Sequence, residues 1–125
     1  MAEGRRTLVV DDNEINRRIA VAFMKRLGWD VREAVDGADA LGVLADGGTC
    51  NLVLLDVSMP GMSGLEVCRR IRSDPALAGL AVLAYTAHAL AEERTAMLEA
   101  GFDDVLVKPV KFEALAAALK ARGFP

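Results

Sequence analysis

Residues 52–56 read Leu-Val-Leu-Leu-Asp, four apolar residues in a row that stop at a carboxylate. A strand with one wet face alternates apolar and polar residues. A run with no polar position belongs to a strand covered on both faces, the condition of a parallel sheet. The same pattern recurs on either side of residue 52. Thr7-Leu8-Val9-Val10 ends in Asp11-Asp12, Leu80 to Tyr85 ends in Thr86, and Val105-Leu106-Val107 ends in Lys108. Asp30 to Ala34 is more polar and reads as an edge strand.

Between these runs the hydrophobic period lengthens. Ile15, Ile19, Ala20, Phe23, Met24 and Leu27 recur at helical spacing from Asn13 onward, with Gly28 as a C-cap. A second helix starts at the Asp36-Gly37 cap and fades before Gly47-Gly48. A third opens on a Ser63/Glu66 capping box and ends near Asp74-Pro75. A fourth runs from about Leu90 to Ala100 before Gly101, and the last passes through Leu115, Leu119 and Ala121. Strands alternating with helices make βαβ units with right-handed crossovers. The predicted fold is α/β: a doubly wound, five-stranded parallel sheet of order 2-1-3-4-5, a flavodoxin-like (βα)5 domain.

The whole sequence has 125 residues, enough for one domain with a sizeable core. Its 15 Lys+Arg against 18 Asp+Glu leave a net charge of −3, not the basic excess of a nucleic-acid binder. The most apolar stretch, Ala76 to Ala91, is interrupted by Gly79, Thr86 and His88 and is too short for a membrane span. Arg5 and Arg6 precede no apolar signal region. Cys50 and Cys68 form no CxxC pattern, arguing against a disulfide scaffold or a zinc site and for reduced thiols in the cytoplasm. Arg17-Arg18 and Arg69-Arg70 read as solvated helix faces, and Trp29 as ordinary packing.

On this scheme Asp11, Asp12, Asp56, Thr86 and Lys108 all fall at carboxyl ends of strands, the edge where open α/β sheets bind ligands. Three Asp and one Lys sum to −2. Two like charges 4 Å apart repel by ~1 kcal/mol in water and ~4 kcal/mol at an effective dielectric near 20. Such a cluster raises carboxyl pKa values or binds a cation, and clustered carboxylates suit Mg²⁺. With a divalent ion the pocket is near neutral and can admit a phosphoryl group, with Lys108 and the Thr86 hydroxyl on its oxygens. Taken singly, the Asp doublet could be a helix N-cap, Asp56 a former of the Pro60-Gly61 turn, and Lys108 a solvated strand end. One site accounts for all of them together.

The strings VVDDNE at Val9 to Glu14, LLDVSMPGMSG at Leu54 to Gly64, YTA at Tyr85 to Ala87 and VKP at Val107 to Pro109 resemble the receiver domain of bacterial two-component response regulators. The similarity covers essentially the whole chain. It looks most like the stand-alone type, one receiver over residues 1–125 with no output domain. The resemblance implies that Asp56 accepts a phosphoryl group from a phosphohistidine on a histidine kinase or histidine phosphotransfer protein. It implies Mg²⁺ (or Mn²⁺) held by Asp12 and Asp56, by Asp11 through a water, and by the backbone carbonyl of Ser58. Lys108 and the switch residue Thr86 would contact the phosphoryl oxygens, Ala87 would leave room for the donor, and Pro109 would follow a cis bond. Ser58 and His88 would tune dephosphorylation, and Ile15, Asn16 and Ile19 would form the kinase docking surface, although Ile15 and Ile19 equally suit a core stripe.

The implied protein is no enzyme beyond its own phosphorylation and dephosphorylation. It is cytoplasmic, binds neither nucleic acid nor membrane, and is a monomer or a phosphorylation-dependent dimer with an effector still to be identified. One departure stands out: relatives often carry Tyr or Phe three positions before the lysine, where this chain has Val105, so output would rest on Thr86 and loop movement. A receiver within a hybrid histidine kinase is an alternative. A Mg²⁺-dependent phosphohydrolase with an Asp nucleophile is another, but adjacent Asp11-Asp12 lacks the two-residue Asp spacing that such enzymes use, and there is no room for a cap domain. A flavodoxin-like FMN protein would need a Gly- and hydroxyl-rich loop where this chain has acidic Asp11-Asp12-Asn13-Glu14.

Overall fold

A computed structural model describes residues 5–46, 50–87 and 89–124; Gly47-Gly48 and His88 lie outside the described residues. Ten elements alternate: β1 (Arg6–Val10), α1 (Glu14–Arg26), β2 (Asp30–Ala34), α2 (Gly37–Ala45), β3 (Leu52–Asp56), α3 (Gly64–Ser73), β4 (Ala81–Thr86), α4 (Ala91–Ala100), β5 (Asp104–Val107) and α5 (Phe112–Ala121). All strand pairs are parallel, in the order β2-β1-β3-β4-β5.

The unbroken apolar runs are explained by the pleat, which sends successive side chains to opposite faces. Leu8, Val10, Val53, Leu55, Val82 and Ala84 pack with Val67, Cys68, Ile71 and Met97 on the side of α2, α3 and α4. Val9, Leu52, Leu54, Leu83, Tyr85 and Leu106 pack with Ala20, Met24, Leu115 and Leu119 beneath α1 and α5. All five residues of β3 are buried, as befits the central strand. Trp29, also buried, meets Phe124 edge to face, with ring centroids 5.0 Å apart.

Local chemistry sets the helix starts. Asn13, Asp36 and Ser63 cap α1, α2 and α3 by accepting from Asn16 N, Asp39 N and Glu66 N. The expected box at Ser63 is completed differently: the Glu66 carboxylate turns along the helix to Arg70, 3.0 Å away. Of the arginines expected as solvated, Arg18, Arg69 and Arg70 are exposed, but Arg17 is not. Its side chain is only 13% exposed, pairing with Glu33 at 2.9 Å and donating to the Asp11 carbonyl at 3.0 Å. Arg72 likewise ties the end of α3 to the next loops, donating to the carbonyls of Gly101, Ala78 and Leu80 and to Asp103.

The start of α3 sits hard against the end of β3. A Cβ at Gly64 would overlap the Asp56 carbonyl oxygen and come within 2.7 Å of Val57 Cα, both rigid backbone. Gly64→Ala should therefore destabilise the fold by about 1–3 kcal/mol, the usual cost of overpacking. Urea unfolding measures it, and an unchanged midpoint would show that the loop yields freely.

Candidate functional site

The chain winds outward from β1 to β2 on one side and through β3, β4 and β5 on the other, so the loops after β1 and β3 part and leave a crevice at the carboxyl edge. Asp11 follows β1 and is fully buried; Asp56, the last residue of β3, is 2% exposed. Asp12 lies exposed on the rim. One carboxylate oxygen from each of the three lies within 4.8 Å of the others. The N-cap alternative is answered by Asn13, which takes that role and leaves the doublet free for the crevice. Turn-type bonds are present as well: Asp11 Oδ1 accepts from Asn13 N at 2.8 Å, and Asp56 Oδ1 from Ser58 N at 3.2 Å.

Lys108, just beyond β5, is no solvated strand end. Its side chain is 14% exposed, and Nζ lies 3.1 Å from Asp11 Oδ2 and 3.2 Å from Asp56 Oδ1. The first of these contacts is an ion pair by distance but is not aligned as a hydrogen bond, so buried Asp11 Oδ2 accepts none. Burial, and then the neighbouring Asp11 charge, push the Asp56 carboxyl up to about 7 against the pull of Lys108. One ammonium does not neutralise this pocket. The orphaned oxygen, the hard donor set and the remaining negative charge together fit a divalent cation such as Mg²⁺.

Other expected residues surround this core. Thr86 is buried at the end of β4, one residue past Tyr85, which is paired with Asp56 across the sheet; the Thr86 carbonyl accepts from Lys108 N at 2.7 Å. Ser58 and Ala87 are exposed on the two adjoining loops, Pro109 is exposed, and the Lys108–Pro109 bond is cis. Ile15 is 71% and Ile19 39% exposed, so neither joins the buried stripe of α1, formed by Ala20, Val21 and Met24. Asn16 is half-buried between them. Val105 is buried among the residues beneath α4. Sequence reasoning missed Arg17 and Tyr85. Only Tyr85 carried a signal, a lone aromatic at the end of an aliphatic strand.

A five-stranded parallel sheet of this order, with its polar residues gathered at the carboxyl edge, is a flavodoxin-like α/β domain. The pattern of the response regulator receiver domain matches residues 7–120, and the chain belongs to that family. It is 45% identical over 112 residues to the sensor histidine kinase RcsC of Salmonella typhi, covering 90% of this chain but 12% of that protein. It is 34% identical over 123 residues to hybrid signal transduction histidine kinase L of Dictyostelium discoideum, covering 94% of this chain and 7% of the relative. The chain thus spans a small fraction of these curated relatives.

Among solved structures, the chemotaxis protein CheY4 of Vibrio cholerae superposes with a TM-score of 0.87 at 27% identity, covering 94% of this chain and 97% of that one. The receiver domain of sensor histidine kinase PA1611 from Pseudomonas aeruginosa PAO1, solved with a magnesium ion in its active-site cleft, superposes with a TM-score of 0.85 at 31% identity, covering 94% and 96%. Receiver domains accept a phosphoryl group, bind Mg²⁺ through an acidic pocket, and interact with histidine kinases or phosphotransfer proteins. Among the described residues no helix is long and apolar enough to cross a membrane.

Proposed function

We propose that this receiver takes a phosphoryl group from a phosphohistidine onto Asp56 and thereby switches a protein-interaction surface. The supporting observation is the placement of Lys108 Nζ between two buried carboxylates, 3.1 Å from Asp11 and 3.2 Å from Asp56. A carboxylate oxygen of ionised Asp56 attacks phosphorus, the P–N bond of the donor breaks, and the departing imidazole takes its proton from solvent. The product is an acyl phosphate. Asp11, Asp12, Asp56 and the Ser58 carbonyl would hold Mg²⁺ or Mn²⁺, which when bound supplies positive charge against the transferring phosphoryl oxygens. Lys108 pairs with one of those oxygens, Thr86 turns its hydroxyl toward another, and Ala87 leaves the approach open. Phosphorylation adds about −1.5 to −2 of charge and three strong acceptors, enough to bias two arrangements of the nearby loops.

Ser58, two positions after the acceptor, and His88, two positions after Thr86, tune its hydrolysis. Ile15, Asn16 and Ile19 are the surface on which the donor docks; the exposure of both isoleucines supports this. The chain acts on no other substrate, works in the cytoplasm, and is a monomer or a phosphorylation-dependent dimer. The free cysteines agree with that compartment. The 45% identity to a sensor kinase favours a second reading within the same chemistry, a relay receiver of the kind that belongs to a hybrid kinase.

Intact mass after incubation with acetyl phosphate tests the core reading. One added phosphoryl group that requires Mg²⁺ and is absent in Asp56→Asn is the expected result. An adduct that survives in the variant, or none in the natural chain, rejects it.

A further inference from the structure

We propose that Tyr85 is a positioning residue for Lys108, its ring holding the ammonium in place for phosphoryl transfer; this rests on the receiver reading above. Lys108 must cross the end of β4 to reach from β5 to β3, two strand spacings or about 10 Å. The residue of β4 that lies in register with both Asp56 and Leu106 is Tyr85, and Lys108 Nζ lies over its ring, 4.7 Å from the centroid. The ring is 1% exposed and clamped at both ends: the strand carries one, and the hydroxyl donates to the Asn16 carbonyl in the first turn of α1 at 3.3 Å.

The electrostatics explain why an aromatic belongs there. The charged partners of the ammonium among the described residues are Asp11 and Asp56. Transfer converts Asp56 into an acyl phosphate, so one of these two partners changes during the reaction. The negative face of the ring does not change, and in a desolvated site a cation over such a face is held well. An aliphatic side chain would fill the volume without that attraction. Ring and hydroxyl have separable duties: the ring faces the cation, while the hydroxyl fixes the ring to α1.

The test uses the full chain, acetyl phosphate at saturating Mg²⁺, and three forms: natural, Tyr85→Phe and Tyr85→Leu, with Tyr85→Met replacing Leu if that variant does not fold. The aliphatic variant should lose roughly three- to tenfold in phosphorylation rate, with Mg²⁺ affinity changed by less than about twofold. The Phe variant should stay within about twofold of natural, because its ring remains. The ε-methylene protons of Lys108 should resonate upfield in the natural and Phe chains and return to ordinary positions in the aliphatic one. Equal rates in natural and aliphatic chains, a Phe variant as slow as the aliphatic one, or Mg²⁺ affinity falling in step with rate would each overturn the proposal while leaving the receiver reading intact. A natural chain that takes no phosphoryl group overturns both.

Discussion

Asp56→Asn is expected to be more stable than the natural chain at pH 8 without divalent cations, by about 2–4 kcal/mol, or roughly 6–16 °C in Tm, the upper figure being the whole of the carboxyl's rise to about 7. The carboxyl is 2% exposed, and burial and then Asp11 push it up to about 7 against an unfolded value near 3.9. The folded state therefore binds this proton more tightly than the unfolded state. The associated stability is fully present below about pH 4 and is lost as pH rises through about 7. Asn carries no such penalty, so the variant's advantage should be largest above pH 7 and vanish near pH 4. Mg²⁺ should reverse the order, stabilising the natural chain by mass action and the variant far less. Urea unfolding at pH 4.5 and 8, with and without Mg²⁺, measures all of this. An Asn variant less stable than the natural chain at pH 8 would mean that Asp56 is not strained by its surroundings.

Lys108→Ala should act in the opposite direction. It leaves Asp11, fully buried, and Asp56 facing each other with no ammonium between them. Breaking a buried pair by removing one partner costs about 3–5 kcal/mol; with Lys108 at 14% exposure the lower end, about 3 kcal/mol at pH 8, is expected. The loss should shrink toward pH 5 as Asp56 takes up its proton, and shrink again with Mg²⁺ at pH 8. A small loss, equal at both pH values, would mark Lys108 as an ordinary exposed lysine. Combining Lys108→Ala with Asp56→Asn should restore much of the stability, since the second substitution removes one of the unpaired charges; residues in one network are not additive.

Much of this molecule is legible without coordinates because two kinds of signal coincide. Leu52-Val53-Leu54-Leu55 announces a strand buried on both faces, and the carboxylate that ends it marks an edge where polar groups collect. The helix caps are equally local, since Asn13, Asp36 and Ser63 each bond a backbone N–H three residues on. Such features need only period and near neighbours, which a linear sequence carries.

What the sequence by itself determined is the α/β class, the order of its elements, and the set of polar residues at the carboxyl edge, because periodicity and strand ends are local properties. Tertiary structure alone decided how those residues pair. Arg17 looks like any helix-face arginine until β2 brings Glu33 beside it and the Asp11 carbonyl within its reach. Ile15 and Ile19 fit a core stripe by spacing, yet α1 buries Ala20, Val21 and Met24 against the sheet and leaves both isoleucines exposed. Tyr85 lies in β4 and Lys108, twenty-three positions on, just beyond β5, and only the parallel register of β4 and β5 sets the ring beneath the ammonium. The reason is physical: a side chain's charge and shape are written in its own residue, while its dielectric surroundings and partners are supplied by segments that meet only when the sheet closes.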